Sequence, residues 1–180
     1  MKTNDLPLSE LISLKKIKTA DAKTIYKAID NNRDHLRTWL PFVDETKSIQ
    51  DTQDFVNTVA DGADFRQEIF TIWLKDEFCG LVGLKDLDFY NKKVELGYWM
   101  IKKMTGKGIA TLSVSKIMDY CFTNKNLNRI QIKCGVGNFK SSAIPKRLGF
   151  KFEGIERDGE RHSFDFIDLE VYSILRKEWH

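Results

Sequence analysis

The chain has few of the residues that mark the commonest special functions. Its three cysteines, Cys79, Cys121 and Cys134, are odd in number, and no two of them have CxxC spacing, so neither a disulfide framework nor a thiol metal site is expected. Cys79 and Cys134 lie in apolar, strand-like runs and Cys121 on the apolar side of a helical segment, the setting of buried reduced thiols. The histidines His35, His162 and His180 are isolated, without HExxH or any other paired-ligand spacing, and no metal site is expected. No apolar run approaches the roughly 20 residues that span a bilayer, and Met1–Pro7 lacks the apolar core of a secretory signal. A cytoplasmic protein without a membrane partner is the default expectation. The net charge is only +3, with lysine and arginine scattered along the chain, which argues against nucleic-acid binding. Internal repeats, low-complexity stretches and Pro/Gly-rich linkers are missing too, so residues 1–180 read as a single domain.

What is present is a mixture of helical and strand periods. Leu11–Ile17 predicts a strand. A helix follows from the Thr19–Asp21 cap, with Ile25 and Ile29 on one face, then a short helix over Arg33–Leu40 that stops at Pro41. Ser48–Asp51 opens another, with Phe55, Val56 and Val59 on its apolar face. Three strands joined by tight turns come next, at Glu68–Lys75, Cys79–Phe89 and Val94–Ile101, and short connections make them antiparallel neighbours. The clearest helix covers Gly106–Asn126. A central strand at Arg129–Val136, a short helix at Ser141–Leu148 closed by Gly149, and strands at Lys151–Glu156 and Phe166–Leu175 complete a mixed α/β sheet.

Two segments carry chemical information. In the first, Val94–Thr111, a strand enters a glycine loop and then a helix. Gly106 and Gly108 remove side chains where the backbone N–H groups of Lys107, Gly108, Ile109 and Ala110 would face outward at the positive end of the helix dipole, a fit for a diphosphate. The loop is not a P-loop, since Lys107 lies between the glycines, and Thr111 stands where a dinucleotide fingerprint needs Gly or Ala. A glycine-bearing helix start with no ligand would look the same. The second segment is Asn138–Ser142, followed by a helix and Leu148-Gly149-Phe150. Taken alone, ordinary helix capping by Asn138 is the favoured account of it.

The order strand, GxG, helix, strand, NxxS, helix, LGF resembles the GCN5-related N-acetyltransferase (GNAT) superfamily over nearly the whole chain. The carrying residues are Glu95–Trp99, Gly106–Thr111, Asn138–Ser142 and Leu148–Phe150 with Glu153-Gly154. Trp39-Leu40-Pro41 and the Ser48–Phe55 helix start are similar, more narrowly, to the bacterial ribosomal-protein serine and alanine N-terminal acetyltransferases (RimJ/RimL type). The resemblance implies a mostly antiparallel sheet of about six or seven strands flanked by helices, with a central strand pair splayed to admit acetyl-CoA. It places pantetheine beside Tyr98, Trp99 and Met100, a backbone N–H around Trp99–Met100 on the thioester carbonyl, the diphosphate on Gly106–Ala110, and Asn138 along the pantetheine arm. Lys103 stands where the superfamily's motif has Gln or Arg, which keeps the cation without the planar fork. Ser141 matches a serine that would donate to the thiol sulfur. Glu160 matches the carboxylate expected to act as base, although an exposed charged turn with Glu156, Asp158 and Arg161 is the plainer reading. His35 and Trp39 fit the lining of an acceptor groove, and an ordinary amphipathic helix explains them too.

The expected reaction is acetyl transfer to a primary amine in a ternary complex, with no metal. A protein α-amine, of pKa about 7.7–8.0, needs only a modest base, whereas a lysine amine near about 10.4 needs more. A protein N-terminus, that of a ribosomal protein among the candidates, is the first acceptor considered. A polyamine, amino acid or antibiotic is the second, and a non-catalytic CoA-binding protein the third. The branch resemblance also implies a homodimer.

Overall fold

The computed structural model describes residues 6–8, 11–62, 64–162 and 164–179; His180 and the first five residues lie outside them. Its strands are β1 (Leu6–Pro7), β2 (Ile12–Lys16), β3 (Glu68–Leu74), β4 (Glu77–Asp88), β5 (Lys93–Met100), β6 (Arg129–Gly135), β7 (Lys151–His162) and β8 (Asp165–Leu175). The helices are α1 (Ala22–Asp30), α2 (Arg33–Leu36), α3 (Phe42–Glu45), α4 (Ile49–Ala60), α5 (Ile109–Asp119) and α6 (Phe139–Arg147). All strands join one sheet in the order β1-β2-β3-β4-β5-β6-β8-β7. Every pairing is antiparallel except β5 with β6. Seven full strands and the two-residue β1 therefore realise the expected sheet.

Local chemistry explains most boundaries. Ser48 caps α4 by accepting from the Asp51 N–H, and the Asp51 carboxylate returns to the Ser48 N–H at 2.7 Å, a reciprocal cap. The buried face of α4 is Thr52, Val56 and Val59, while Phe55, expected on that face, is 41% exposed. The helix expected over Arg33–Leu40 ends at Leu36, and Pro41 starts a further turn of helix, α3, in place of ending one. The glycine loop delays α5 to Ile109, because Gly106 (φ 75°) and Gly108 (φ 77°) are left-handed. Beyond Asp119 the chain widens into one π-helical turn, Tyr120–Asn124. Gly149 ends α6 in the left-handed cap anticipated for it (φ 80°), with the Phe150 N–H on the Pro145 carbonyl and the Gly149 N–H on that of Lys146. The strand expected to stop at Glu156 runs on to His162 through a register shift between Glu156 and Glu160.

Two apolar layers sandwich the sheet. On one side α5 lays Ile109, Val114, Ile117 and Met118 against Leu14, Phe70, Leu84, Leu96 and Ile132. On the other, α1 and α4 bury Ile25, Ile29, Val56 and Val59 with Ile17 and Leu81. The sheet is thus held rigid on both faces around its one parallel seam, β5–β6.

Candidate active site

The parallel seam closes for only half its length. Lys93–Leu96 pair with Arg129–Ile132, and the pairing stops there, although β5 continues to Met100 and β6 to Gly135. The strands splay between Tyr98–Met100 and Cys134–Gly135, as the resemblance implied. Which backbone groups face the opening follows from alternation along a strand. The Ile101 N–H donates to the Cys79 carbonyl of β4 at 2.9 Å, so Trp99 also turns toward β4, while Tyr98 and Met100 turn their N–H and C=O into the opening. Of the two N–H groups expected near a thioester carbonyl, Met100 supplies the one that faces the cleft.

Side chains divide just as cleanly. Trp99 packs against Phe78, with ring centroids 6.0 Å apart, on the α1/α4 side. Tyr98 reaches the other way, across the splay, and its hydroxyl donates to the Ser141 carbonyl at 3.0 Å. That carbonyl is available because Pro145, four residues on in α6, has no N–H to take it. Serine's own hydroxyl donates to the Tyr98 oxygen at 3.3 Å and lies 3.4 Å from the Cys134 sulfur. Burial pushes the Tyr98 phenol well above its ordinary value, so it stays protonated, and burial also raises the Cys134 thiol. A protonated O–H/S–H cluster therefore stands at the floor of the cleft. Cys134 is buried, as spacing foretold, but its place beside Ser141 was not legible, because the contact depends on where α6 docks.

Asn138 caps α6: its side-chain oxygen accepts from the Ser141 N–H at 3.2 Å. At the other end of the opening, nothing lies within 4 Å of where a side chain would begin on Gly106 or Gly108. The loop is bare and points the first amides of α5 outward, a geometry that fits an anion. Ile109 is buried and Ala110 half-buried behind it. Lys103 is engaged by Glu77, and the Lys107 ammonium lies 3.8 Å from the Met104 sulfur. A cavity of about 520 Å³ lined by Lys27, Asn32, Lys102 and Lys103 lies between α1 and the connection that follows β5. The open strands and bare loop define the cofactor cleft better than that hollow does, because they present unpaired amides.

The segment from α2 to Trp39 bridges the mouth of the splay. Asn32 accepts from the Lys102 N–H at 3.0 Å just past β5. His35 lies on α2, and burial lowers its imidazole below the ordinary histidine value, with Lys140 and Lys102 pushing the same way. Trp39 covers the end of β6 so closely that a β-carbon at Gly135 would meet its ring at 3.1 Å and Ile167 at 3.0 Å. Glu160 lies on β7, opposite Ile167 of β8. It is part of a strand and not of a charged turn, and its carboxylate meets the His162 ring at 2.9 Å. His162, which looks isolated in the sequence, thus has a partner two residues away on the same strand face.

The described residues hold no helix long and apolar enough to cross a membrane and no group of side chains suited to a metal ion. A family model described as "Acetyltransferase (GNAT) domain" matches residues 12–151. A putative ribosomal N-acetyltransferase of Bacillus subtilis, YdaF, is 34% identical over 96% of this chain and 95% of its own. Among solved structures, the ribosomal L7/L12 alpha-N-protein acetyltransferase RimL in complex with coenzyme A superposes with a TM-score of 0.91, at 22% identity and covering 96% of this chain and 98% of that one. The microcin C7 self-immunity acetyltransferase MccE, in complex with acetyl-CoA and AMP, reaches 0.87 at 26% identity, covering 93% and 94%. With a family model over most of its length and a splayed seam beside a bare glycine loop, the chain belongs to the GNAT family of acetyl-CoA-dependent N-acetyltransferases.

Proposed function

We propose that the protein acetylates the N-terminal α-amine of a protein, a ribosomal protein first among candidates. The observation that carries this is the α2–Trp39 bridge: Asn32 is tied to Lys102 just past β5, and Trp39 sits over Gly135 beside Ile167, the β8 partner of Glu160, whose carboxylate meets His162. A carboxylate on the strand beside that bridge suits an incoming ammonium. The names of the relatives point the same way. In this reading pantetheine lies between Tyr98–Met100 and Cys134, the diphosphate rests on Gly106–Ala110, and Met100 N–H holds the thioester oxygen. Ser141 hands a proton to the leaving sulfur. Glu160 receives the ammonium and draws off its first proton, giving the neutral amine. Asn138 acts by holding Ser141 in the first turn of α6. The whole chain works as one catalytic domain in the cytoplasm, where donor and acceptor are made. It acts as a homodimer, for which the edge strand β7 with exposed Phe152 and Ile155 offers a surface.

The test is mass-spectrometric detection of acetyl transfer from acetyl-CoA to a panel of ribosomal proteins, their N-terminal peptides, spermidine and free amino acids. Peptide α-amines should be modified fastest. Preferential transfer to spermidine would replace this reading with a polyamine acetyltransferase. Glu160→Gln should lose most activity near neutral pH, where most α-amine is protonated, and recover toward pH 9 as water supplies the neutral form.

A further inference from the structure

We propose that His162 is the positioning residue of Glu160: its ring N–H fixes one carboxylate oxygen so that the other is free to take the acceptor's proton. This rests on the reading of Glu160 given above and adds a residue that lies outside every motif named there.

The bulge in β7 sets the placement. Glu156 pairs with Leu169 and Glu160 with Ile167, so residues 157–159 stand against Asp168 alone. Asp158 takes a left-handed conformation (φ 51°), and its N–H donates to the Asp168 carboxylate at 2.9 Å. In an uninterrupted ladder residue 158 would face Ile167; the bulge puts Glu160 there instead. Directly paired side chains share a face of the sheet, so Glu160 projects with Ile167. The Ile167 and Trp39 side chains both close over Gly135, the last residue of β6. Cys134, one residue back, turns to the opposite face, where its sulfur lies 3.4 Å from the Ser141 hydroxyl. The hydroxyl for the leaving sulfur and the carboxylate for the amine therefore flank the same open end of the seam from opposite faces.

His162 follows Glu160 by two residues and shares its face. Its Nε2 lies 2.9 Å from Oε2 of Glu160. An ionised carboxylate only accepts, so the ring donates. Glu156, earlier on the strand, shows the alternative: it is bound by the Lys133 ammonium at 2.7 Å. An ammonium carries a full positive charge, whereas an imidazole can donate while neutral. Glu160 is thus held without its charge being cancelled. The His162 side chain is 14% exposed and that of Glu160 36%, so the anchor is packed and the anchored group is open. Among the described residues no protein group donates to the remaining oxygen, Oε1. In the step itself the ammonium passes one proton to Oε1, giving the neutral amine and a carboxylic acid, which then releases the proton to water. The ring keeps its N–H throughout. Without the ring the carboxylate would regain rotamer freedom, and only a fraction of its conformers would meet the amine.

The experiment compares wild type, His162→Leu, His162→Gln, Glu160→Gln and the double variant His162→Leu/Glu160→Gln with the best peptide acceptor of the panel at pH 7.5. His162→Leu should lower kcat about 10-fold, the order of one hydrogen bond to a charged group, with peptide KM and acetyl-CoA affinity little changed, because the carboxylate is still there. His162→Gln, whose amide nitrogen reaches as far as Nε2, should restore most of the rate. In the Glu160→Gln background His162→Leu should cost nothing further, since the ring acts only through that carboxylate. The loss in His162→Leu should also fade toward pH 9 in step with that of Glu160→Gln. Wild-type kcat in His162→Leu, losses that multiply in the double variant, or a His162→Gln enzyme as slow as His162→Leu each overturn the assignment while leaving the acceptor reading intact. A Glu160→Gln enzyme with wild-type turnover at pH 7.5 overturns the role of Glu160 itself, and this inference with it.

Discussion

The two halves of the β5–β6 seam use the same two strands for opposite ends. In the closed half, Lys93–Leu96 and Arg129–Ile132 pair backbone to backbone, and charges rivet the face above them. Glu95, 8% exposed, binds Lys85 at 2.7 Å and lies 3.8 Å from Lys133, while Gln131 donates to it at 3.3 Å. Arg129 grips Glu153, which also accepts from Ser173. In the open half the backbone of Tyr98 and Met100 turns into a gap, and the side chains across it form the Tyr98–Ser141–Cys134 cluster. The difference teaches where polar groups are satisfied. In the closed half protein atoms satisfy one another and stability results; in the open half the unpaired amides are left for a ligand.

Substitutions should respect this division. Gly108→Asp should have the largest effect, because it forces a side chain onto a left-handed residue and a negative charge against the diphosphate. A loss of about 100-fold or more in acetyl-CoA affinity by calorimetry is expected, from strain of about 1–2 kcal/mol plus repulsion. Unchanged affinity would move the cofactor off this loop. Next comes Ser141→Ala, expected to lower turnover about 10–100-fold with little change in acetyl-CoA affinity. A fall in affinity instead would make Ser141 a binding group.

The closed half should answer in stability. Glu95→Gln leaves two lysines without their shared carboxylate and should cost about 1–2 kcal/mol by denaturant titration, modest because both lysines are partly solvated, with kcat preserved. The smallest effect is in acid. The Arg129 guanidinium and Ser173 hold the Glu153 carboxyl at about 2, below its ordinary 4.5. A depressed carboxylate stabilises the fold fully above its unfolded value and loses that contribution as pH falls through its folded one. Stability should therefore decline between about pH 4.5 and about pH 2, and Glu153→Gln should flatten that part of the profile.

Period and turn chemistry made most of the fold legible. The meander, the glycine loop and the Gly149 cap are local events, and local residues specify them. Phe55 was misassigned because a three-turn helix offers two neighbouring apolar stripes, and only docking on α1 selects Thr52, Val56 and Val59. The site was half legible. Gly106, Gly108, Asn138 and Ser141 stand in one contiguous pattern, whereas the Tyr98–Ser141 bridge joins residues 43 apart and exists because Pro145 frees a carbonyl. Asn32 and Lys102 meet only through the docking of the α2 segment on the end of β5. His162 could have been found from its i+2 spacing to Glu160, once the strand was seen to run past Glu156.

The most direct test of this division is residue-resolved hydrogen exchange with and without acetyl-CoA. Binding in the splay should slow exchange at the Tyr98 and Met100 amides and at Lys107–Ala110, and leave Lys93–Leu96 and Arg129–Ile132 as they were. Protection confined to the cavity around Lys27 and Lys102, or spread evenly along both halves of the seam, would contradict the account.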